Sequence, residues 1–167
     1  IVVFFCLFLK RRLTVSLQSF WIHGTSVQQE REGYFISKKR EGNGAVFRTH
    51  GEEWFHFAIP TPVIVANKRS SLMKVAVFYR TTATATISQI EIYDTDRVVF
   101  SNDDLRGYNG DHSQQIDDKN SWQMPERIEL KTSVGVSLKV NFGPSTKNEV
   151  PSVTFLAAGA DFANEGI

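Results

Sequence analysis

The stretch RIELKTSVGVSLKVNF, residues 127–142, decides the fold because its apolar side chains fall on alternate positions. The apolar members are Ile128, Leu130, Val134, Val136, Leu138, Val140 and Phe142. Polar residues occupy the positions between them: Glu129, Lys131, Ser133, Ser137, Lys139 and Asn141. This period places successive side chains on opposite faces of a β-strand. Because the stretch is longer than a usual strand, we expect a break or bend near Ser133–Gly135.

The same alternation marks further strands on both sides of this stretch. They are predicted at residues 53–59, 72–80, 86–93, 97–100 and 153–157. No window of about a dozen residues shows helical spacing together with helix caps. Many short strands separated by Gly, Pro, Asn and Asp are typical of antiparallel sandwiches and barrels. We therefore predict an all-β fold, a single-domain antiparallel β-sandwich with a jelly-roll-like arrangement.

Turn residues predict two hairpins, and a proline segment predicts a strand that ends at a sheet edge or a crossover. Asp94-Thr95-Asp96 lies between two predicted strands and supplies turn chemistry. Asn43-Gly44 separates two further extended stretches and favours a type I′ turn, because both residues tolerate positive φ. The prolines of Pro60-Thr61-Pro62 cannot donate to a sheet ladder, so the preceding strand should end at a sheet edge or a crossover.

The composition excludes several classes of protein. The 167 residues suit one compact domain, and a hydrophobic content of 41% excludes a wholly disordered chain. The single cysteine excludes an internal disulfide and a metal site built only from cysteines. A net charge of +1 argues against nucleic acid as a partner. The charge is uneven, since residues 1–48 carry 8 basic and 3 acidic side chains and residues 94–118 carry 2 and 7.

An apolar run, IVVFFCLFL at residues 1–9, precedes Lys10-Arg11-Arg12. A transmembrane helix needs about 20 apolar residues, and a secretory signal carries its positive charge before the apolar run. The run is interpreted as the end of a truncated membrane or signal segment, as a translated extension, or as a tail or edge strand of the domain. We predict a tail at 1–19, a sandwich domain at 20–162 without membrane contact, and a remnant at 163–167. The lack of an intact signal and of a cysteine pair favours an intracellular location.

Seven short strings occur in one order along the chain: WIHGTSVQ (21–28), GYFISKKR (33–40), WFHFAIPTPVI (54–64), IYD (92–94), GDHS (110–113), NSW (120–122) and AGADF (158–162). With these strings the chain resembles a family of small all-β proteins, mainly from bacteria and fungi, known only as a domain of unknown function. The resemblance covers about residues 20–162. It implies an all-β fold and brings no established activity.

Acidic side chains gather in the loops predicted between residues 94 and 118. They are Asp94, Asp96, Asp103, Asp104, Asp111, Asp117 and Asp118. Calcium takes about six to eight oxygen ligands, often from loops. We predict Asp94, Asp96, Asp103 and Asp104 as calcium ligands. The EF-hand pattern is absent, and solvated turn carboxylates are the alternative explanation.

Aromatic side chains near the same loops predict a platform for a ligand. An aromatic surface with polar neighbours holds sugars by stacking and hydrogen bonding. The predicted ligand-binding residues are Tyr93, Tyr108, Asp111, His112 and Trp122. Tyr93 is on the polar side of its strand, opposite Ile90 and Ile92. For each tryptophan taken singly, packing in the core is the alternative.

Two groups of residues that include histidine have the residue types of a hydrolase triad or of a metal site. Asp111-His112-Ser113 has the residue types of a hydrolase triad, but triad members usually meet through folding, and a G-x-S-x-G elbow is missing. The alternative is a loop in which the aspartate caps a turn and the histidine bonds a backbone carbonyl. His50, Glu52 and His56 would share one strand face, and could bind a transition metal, if the strand extended back across Gly51.

These patterns favour a non-catalytic β-sandwich module that binds a glycan or another small molecule through the 94–122 loops, with calcium assisting. A small enzyme acting on an apolar molecule, with His23, His56 or His112 as acid/base, stays open because imidazole titrates near neutral pH. A structural or self-associating protein, a homo-oligomer, is the third interpretation. The basic run 38–40 is interpreted as a solvated sheet edge, so no nucleic-acid partner is predicted.

Overall fold

The alternating sequence forms fourteen β-strands within residues 15–33 and 35–165, the residues that this computed structural model describes. The strands in chain order are β1 (Val15–His23), β2 (Gln28–Gln29), β3 (Ser37–Glu41), β4 (Gly44–Arg48), β5 (Glu52–Ile59), β6 (Ile64–Val65), β7 (Lys68–Arg69), β8 (Ser71–Thr82), β9 (Thr86–Asp94), β10 (Arg97–Asn102), β11 (Asp111–His112), β12 (Ser121–Glu129), β13 (Val134–Asn141) and β14 (Ser152–Glu165). A short 3-10 helix, Gly24–Ser26, follows β1.

Two antiparallel sheets make up the sandwich. In the first sheet, β8 and β14 are central neighbours; β11 and β12 pair with the free side of β8, and β1 and β4 pair with the free side of β14. β3 extends this sheet beyond β4. The second sheet has the order β10-β9-β13-β5-β2, and β6-β7 is a separate hairpin. The predicted all-β sandwich is therefore confirmed.

The core lies between the inner faces of the two sheets. Its largest fully buried side chains are Tyr79, Phe47, Phe55, Phe57, Phe142, Phe155 and Phe162. Phe55 links the sheets, since its ring lies 4.8 Å from that of Phe47 and 5.0 Å from that of Phe155. Aromatic rings at these separations add to the stabilisation that burial provides. Each long strand consequently turns its other face outward.

Residues 127–142 form the end of one strand and the whole of the next. β12 ends at Glu129 in the first sheet, and β13 begins at Val134 in the second. The expected break is therefore the four-residue segment 130–133. Val134, Val136, Leu138 and Val140 are buried, as their alternation predicts. The apolar period continues through the break because both strands face the same core.

The predicted hairpins and crossover are confirmed. β9 pairs with β10 and β3 pairs with β4 in antiparallel fashion. The chain leaves the second sheet after Ile59 and enters the first at Ser71, so the proline segment is a crossover. The type I′ assignment at Asn43-Gly44 is wrong: Gly44 already belongs to β4 with φ of 148°, and the two-residue loop is Gly42-Asn43.

The strand that begins the described part of the chain pairs with the strand that ends it. β1 pairs with β14 over its whole length, from Val15 opposite Glu165 to His23 opposite Ala157. The predicted boundaries at residues 20 and 162 therefore lie inside paired strands. The apolar run at 1–9, with Cys6, is outside the described residues. Within residues 15–33 and 35–165, no helix has the length and hydrophobicity needed to cross a membrane.

β14 changes its partner within the first sheet, and two glycines lie at the point of change. Its residues 152–155 pair with β4, whereas residues 157–165 pair with β1. A Cβ added to Gly24 would lie 2.0 Å from the backbone oxygen of Phe155, and one added to Gly44 would lie 2.3 Å from it. The junction therefore requires residues without a side chain.

A buried carboxylate holds the β9–β10 turn against the start of β13. Asp94 accepts hydrogen bonds from the backbone N–H groups of Lys131 at 2.8 Å and Thr132 at 3.0 Å, and from Arg97 at 3.1 Å. Burial raises the pKa of Asp94, but these hydrogen bonds outweigh burial and lower its pKa below the usual value. Asp94 is thus a charged group on which three chain segments depend.

Candidate functional site

The loops after β10 bring together four of the five residues predicted to bind a ligand. Asp111 and His112 form β11 and pair with Arg80 and Tyr79 of β8. The ring of His112 lies 5.2 Å from that of Tyr79. The rings of Tyr108 and Trp122 are stacked at 6.3 Å and 16°. Because Trp122 is 5% exposed, its ring contributes to the core rather than to an open platform.

The polar groups of His112 and of its neighbours are hydrogen-bonded to one another. His112 Nδ1 lies 2.8 Å from Asp117, and Nε2 lies 3.0 Å from the backbone oxygen of Asn109. The buried Asn120 donates to the backbone oxygens of His112 and Gln115 at 3.0 and 2.7 Å. Both ring nitrogens of His112 are therefore engaged in holding the loop.

The alternative explanation of the Asp-His-Ser triplet is confirmed. Asp111 accepts a hydrogen bond from the backbone N–H of Ser113 at 3.1 Å, as an aspartate that caps a turn does. His112 bonds a backbone carbonyl, as that explanation expects. Tyr79 supports the loop by donating to the backbone oxygen of Lys119 at 3.0 Å, and its pKa is raised by burial and by the charge of Asp117. Hydrogen bonds within these loops hold them over one end of β8, and we call them the loop cap.

The four predicted calcium ligands lie at opposite ends of β10. Asp94 and Asp96 flank the turn before β10, whereas Asp103 and Asp104 follow its last residue. A strand of this length separates the two pairs by about 20 Å. Asp104 forms two hydrogen bonds with Arg106, at 2.6 and 2.8 Å, which lower the pKa of its carboxyl. In the part of the chain that the structure describes, no three His, Cys, Asp or Glu side chains are grouped to hold a metal ion.

Tyr93, the fifth predicted residue, lies elsewhere, on the outer face of the second sheet. A row of polar side chains crosses all five strands of that face, and we name it the polar row. Its members, in spatial order, are Gln28, His56, Ser137, Glu91 and Ser101. His56 Nδ1 lies 2.8 Å from Ser137 Oγ. Because these residues are direct cross-strand partners, the regular sheet itself places them in line.

One aromatic side chain stands on each side of the polar row. Tyr93 lies in the neighbouring row beside Gly135, which has no side chain, and Ala58. Trp54 lies in the row on the opposite side, beside Lys139. Across the sheet, Trp54 and Tyr93 lie two strand spacings apart, a distance of about 10 Å. Along β13, their rows lie four residues apart, a distance of about 13 Å.

A groove runs between these two aromatic side chains. One cavity of about 290 Å³ is lined by Glu30, Trp54, His56, Glu91, Tyr93 and Ser137. A second, of about 360 Å³, is lined by Ile22, Ser26, Gln28, His56 and Ala58. We call the two together the sheet-face groove, because His56 lines both. The groove thus offers two aromatic rings, two carboxylates and several neutral hydrogen-bonding groups.

Charge distinguishes the Tyr93 end of the groove. The Tyr93 hydroxyl donates a hydrogen bond to Glu91. This bond, together with burial and the charges of Glu91 and Glu30, raises the pKa of Tyr93 to about 12. Tyr93 is therefore a neutral hydroxyl throughout the physiological range, and Glu91 has further lone pairs to accept other donors.

Replacing Glu91 with glutamine should lower the pKa of Tyr93 from about 12 toward the ordinary value of 10.0. The substitution weakens the hydrogen bond that the neutral hydroxyl donates to the carboxylate, and it removes a negative charge that opposes ionisation of the phenol. The measurement is an ultraviolet pH titration of each protein, with Tyr93→Phe subtracted to isolate this tyrosine. Glu126→Gln, an exposed carboxylate on β12, is the control and should leave the curve unchanged. An unchanged curve for Glu91→Gln would contradict the Tyr93–Glu91 contact.

The alternation of the sequence predicts that Tyr93 faces outward. It does not predict that Tyr93 lies on the same surface as Trp54 and His56. The signal for Trp54 and His56 is present, because both alternate with the buried Phe55 and Phe57. The metal pattern that includes His50 is not formed: β5 begins at Glu52, after Gly51 with φ of 77°, so His50 is not on the strand.

Comparison with known proteins gives one extensive sequence match and two distant structural ones. Residues 15–165 match the family described as "Family of unknown function (DUF6623)". No curated protein matches the chain significantly. A family two carbohydrate esterase from Cellvibrio japonicus is 9% identical with a TM-score of 0.37, over 92% of this chain and 36% of that chain. The exo-beta-1,3-galactanase from Phanerochaete chrysosporium is 9% identical with a TM-score of 0.36, over 87% and 29%. This chain thus spans about a third of either protein, and at these TM-scores neither likeness supports an inference about function.

Proposed function

The chain belongs to DUF6623, a family of unknown function, as its resemblance predicted, and from its own side chains we propose that it is a non-catalytic module that binds an uncharged oligosaccharide in the sheet-face groove. The observation that carries the proposal is the placement of Trp54 and Tyr93 on either side of the polar row, with open space between them. Sugar rings present apolar faces to aromatic rings and hydroxyls to polar groups, and this groove offers both kinds of contact.

The dimensions of the groove favour an extended ligand. Trp54 and Tyr93 are offset by about 10 Å across the strands and about 13 Å along them, so a ligand that touches both rings must cross the polar row diagonally. The side chains it would cross are those of His56, Ser137 and Glu91. A chain of sugar rings meets this requirement, because it can present a ring to each aromatic side chain and hydroxyls to the polar row.

The charges of the groove favour a neutral ligand. Glu30 and Glu91 line the same cavity, and their carboxylates can accept hydrogen bonds from the hydroxyls of a sugar. Lys139, in the Trp54 row, is 2.6 Å from Glu52 and its charge is thereby offset. A uronic acid or a sulfated sugar would bring a negative charge close to two carboxylates in a partly desolvated groove, which is unfavourable.

Replacing Trp54 with alanine should weaken oligosaccharide binding about 30-fold, because a central aromatic anchor contributes about 2 kcal/mol and about 1.4 kcal/mol corresponds to tenfold. Tyr93→Ala should weaken it comparably. The measurement is an array of neutral and acidic oligosaccharides, followed by titration calorimetry with the strongest neutral binder, in calcium and in EDTA. The calcium arm tests the predicted role of Asp94, Asp96, Asp103 and Asp104.

Tyr108→Ala is the matched control, since Tyr108 lies on the loop cap and outside the groove. Unchanged affinity for Tyr108→Ala beside weakened Trp54→Ala would support the groove. Loss of binding in Tyr108→Ala with full binding in Trp54→Ala would move the site to the predicted loop residues. Absence of any bound oligosaccharide on the array would overturn the proposal.

A second candidate function rests on His56. Among the three histidines suggested as acid/base groups, His112 has both ring nitrogens engaged and His23 Nδ1 is bonded to Thr25. His56 lines both cavities and uses only Nδ1, on Ser137, among the contacts of the described residues. Slow hydrolysis of a chromogenic ester that disappears in His56→Ala, with ester hydrolysis absent in buffer, would favour an enzyme over a binding module.

A further inference from the structure

β1 differs from every other sheet edge that the structure describes. The opposite edge of the first sheet has Pro125 within β12, and β3 carries Lys38, Lys39 and Arg40. In the second sheet, β10 contains an irregularity between Val98 and Phe100, and β2 has only two residues. Prolines, charges, bulges and short length are the features that prevent edge strands from pairing with another chain.

β1 has none of these features. Its nine residues, VSLQSFWIH, contain no proline, no Asp or Glu, and no Lys or Arg. Among the described strands it pairs with β14 alone, in unbroken register from Val15 to His23. Its second line of backbone N–H and C=O groups is therefore without a strand partner in the described part of the chain. A straight, uncharged strand of this length is a template for another strand.

The outward face of β1 carries apolar side chains on both sides of its centre. Leu17 is 68% exposed and Trp21 is 40% exposed, and Ser19 lies midway between them on the same face. Trp21 lies flat over Gly159, where an added Cβ would be 2.3 Å from its ring, and beside Phe78 at 5.3 Å. The ring is thus held in place while one side stays exposed.

We propose that β1 pairs with β1 of a second copy of this chain, antiparallel about a two-fold axis at Ser19. In that register, Leu17 of each copy lies opposite Trp21 of the other and Val15 lies opposite His23, so one operation covers the three exposed apolar side chains of the strand. An isologous contact requires such self-complementarity. The two first sheets then form one continuous sheet through the β1 pair.

Charge supports a second copy as the occupant. Self-pairing of β1 places no like charges opposite one another, because the strand carries none apart from its terminal His23. The charge nearest to the axis is Asp161, which accepts from Ser19 at 2.5 Å and is neutralised by Lys74 at 3.0 Å. A basic or acidic partner strand would find no opposite charge on this edge.

A disulfide tests the register directly. In the full chain with Cys6→Ser, Ser19→Cys would place two thiols on the axis. Antiparallel partners have Cα separations of about 4.5 or 5.5 Å, within the range of about 4.4–6.8 Å for a disulfide. We expect rapid formation of a covalent dimer under mild oxidation. Ser16→Cys is the matched control, because its two copies would be about 20 Å apart in this register.

Sedimentation tests whether the exposed apolar side chains of β1 form the contact between the two copies. The full chain should sediment at twice the monomer mass, and Leu17→Lys should become monomeric at the same concentration, because two lysines then enter the contact. Ile64→Lys is the control: Ile64 is 64% exposed on the separate β6-β7 hairpin, and this variant should stay dimeric. Circular dichroism of each variant confirms that the fold is retained.

Three outcomes would overturn the pairing. The first is a monomeric full chain. The second is a dimer that Leu17→Lys leaves intact and Ser19→Cys does not crosslink, which would place the contact elsewhere. The third is a monomer whose β1 amides are protected from hydrogen exchange, which would assign the edge to residues 1–14 of the same chain.

Discussion

Replacing Asp94 with alanine should destabilise the protein by about 3–5 kcal/mol, the largest effect that we expect from one substitution. The carboxylate is fully buried and accepts from two backbone N–H groups and from Arg97. Alanine would leave the N–H groups of Lys131 and Thr132, whose bonds to Asp94 are partly buried, without their acceptor. A donor that loses its partner on burial costs up to about 1–3 kcal/mol. The measurement is chemical unfolding at neutral pH, monitored by tryptophan fluorescence.

The effect of Asp94 should depend on pH with a definite sign. Its pKa in the folded protein is lowered below the ordinary 3.8, so the ionised carboxylate stabilises the fold above that value. As the pH falls from neutrality through 3.8 and then through the lower folded pKa, this contribution is lost. The difference in stability between the wild type and Asp94→Ala should therefore shrink in acid.

Asp96→Ala is the control for this prediction. Asp96 lies two residues away in the same turn and is exposed, so its loss should change stability by less than about 0.5 kcal/mol. A similar loss in both variants would mean that the turn is sensitive to any change. Equal stability of Asp94→Ala and the wild type at neutral pH would contradict the buried network.

Replacing Gly24 with alanine should cost about 3 kcal/mol or more, because one methyl group meets backbone. The new Cβ would lie 2.0 Å from the oxygen and 2.4 Å from the carbonyl carbon of Phe155. A backbone carbonyl in a paired strand cannot turn aside as a flexible side chain can. Either β14 or the 3-10 helix would have to move, and the packing of Phe155 in the core would move with it.

Gly42→Ala is the matched glycine substitution. An added Cβ at Gly42 meets nothing within 4 Å, and its φ is not positive, so alanine should change stability by less than about 0.5 kcal/mol. Thermal unfolding of both variants compares the two sites. A Gly24→Ala protein as stable as Gly42→Ala would show that the junction on β14 accommodates a side chain.

The sequence predicts strands best where β-branched and aromatic residues alternate with polar ones. β8, β9 and β13 follow their predicted ranges closely for this reason. β14 runs eight residues beyond its predicted end at Ala157, through AGADFANE, in which six of the eight residues are Ala, Gly, Asp or Asn. Those residues have low strand propensity, and pairing with β8 and β1 overrides it.

The candidate site depended on pairings that no local pattern contains. Alternation indicates that Trp54, His56, Glu91 and Tyr93 face away from the core. Only the placement of β13 between β5 and β9 brings them onto one surface. The acidic and aromatic residues at 94–122 are close in the sequence, and the structure uses Asp94, Asp117 and Trp122 for internal contacts.

The pairing of β1 with β14 has a consequence for synthesis of the chain. The partner of Ser19 is Asp161, so residue 161 must leave the ribosome before this ladder can form. Until then β8 has no neighbour on that side, and β1 has none at all among the described strands. Folding should therefore be slow, since closing so long a loop costs entropy before the contacts of the ladder can form. During that interval the nascent chain exposes apolar strands that have not yet found their partners and are prone to aggregate.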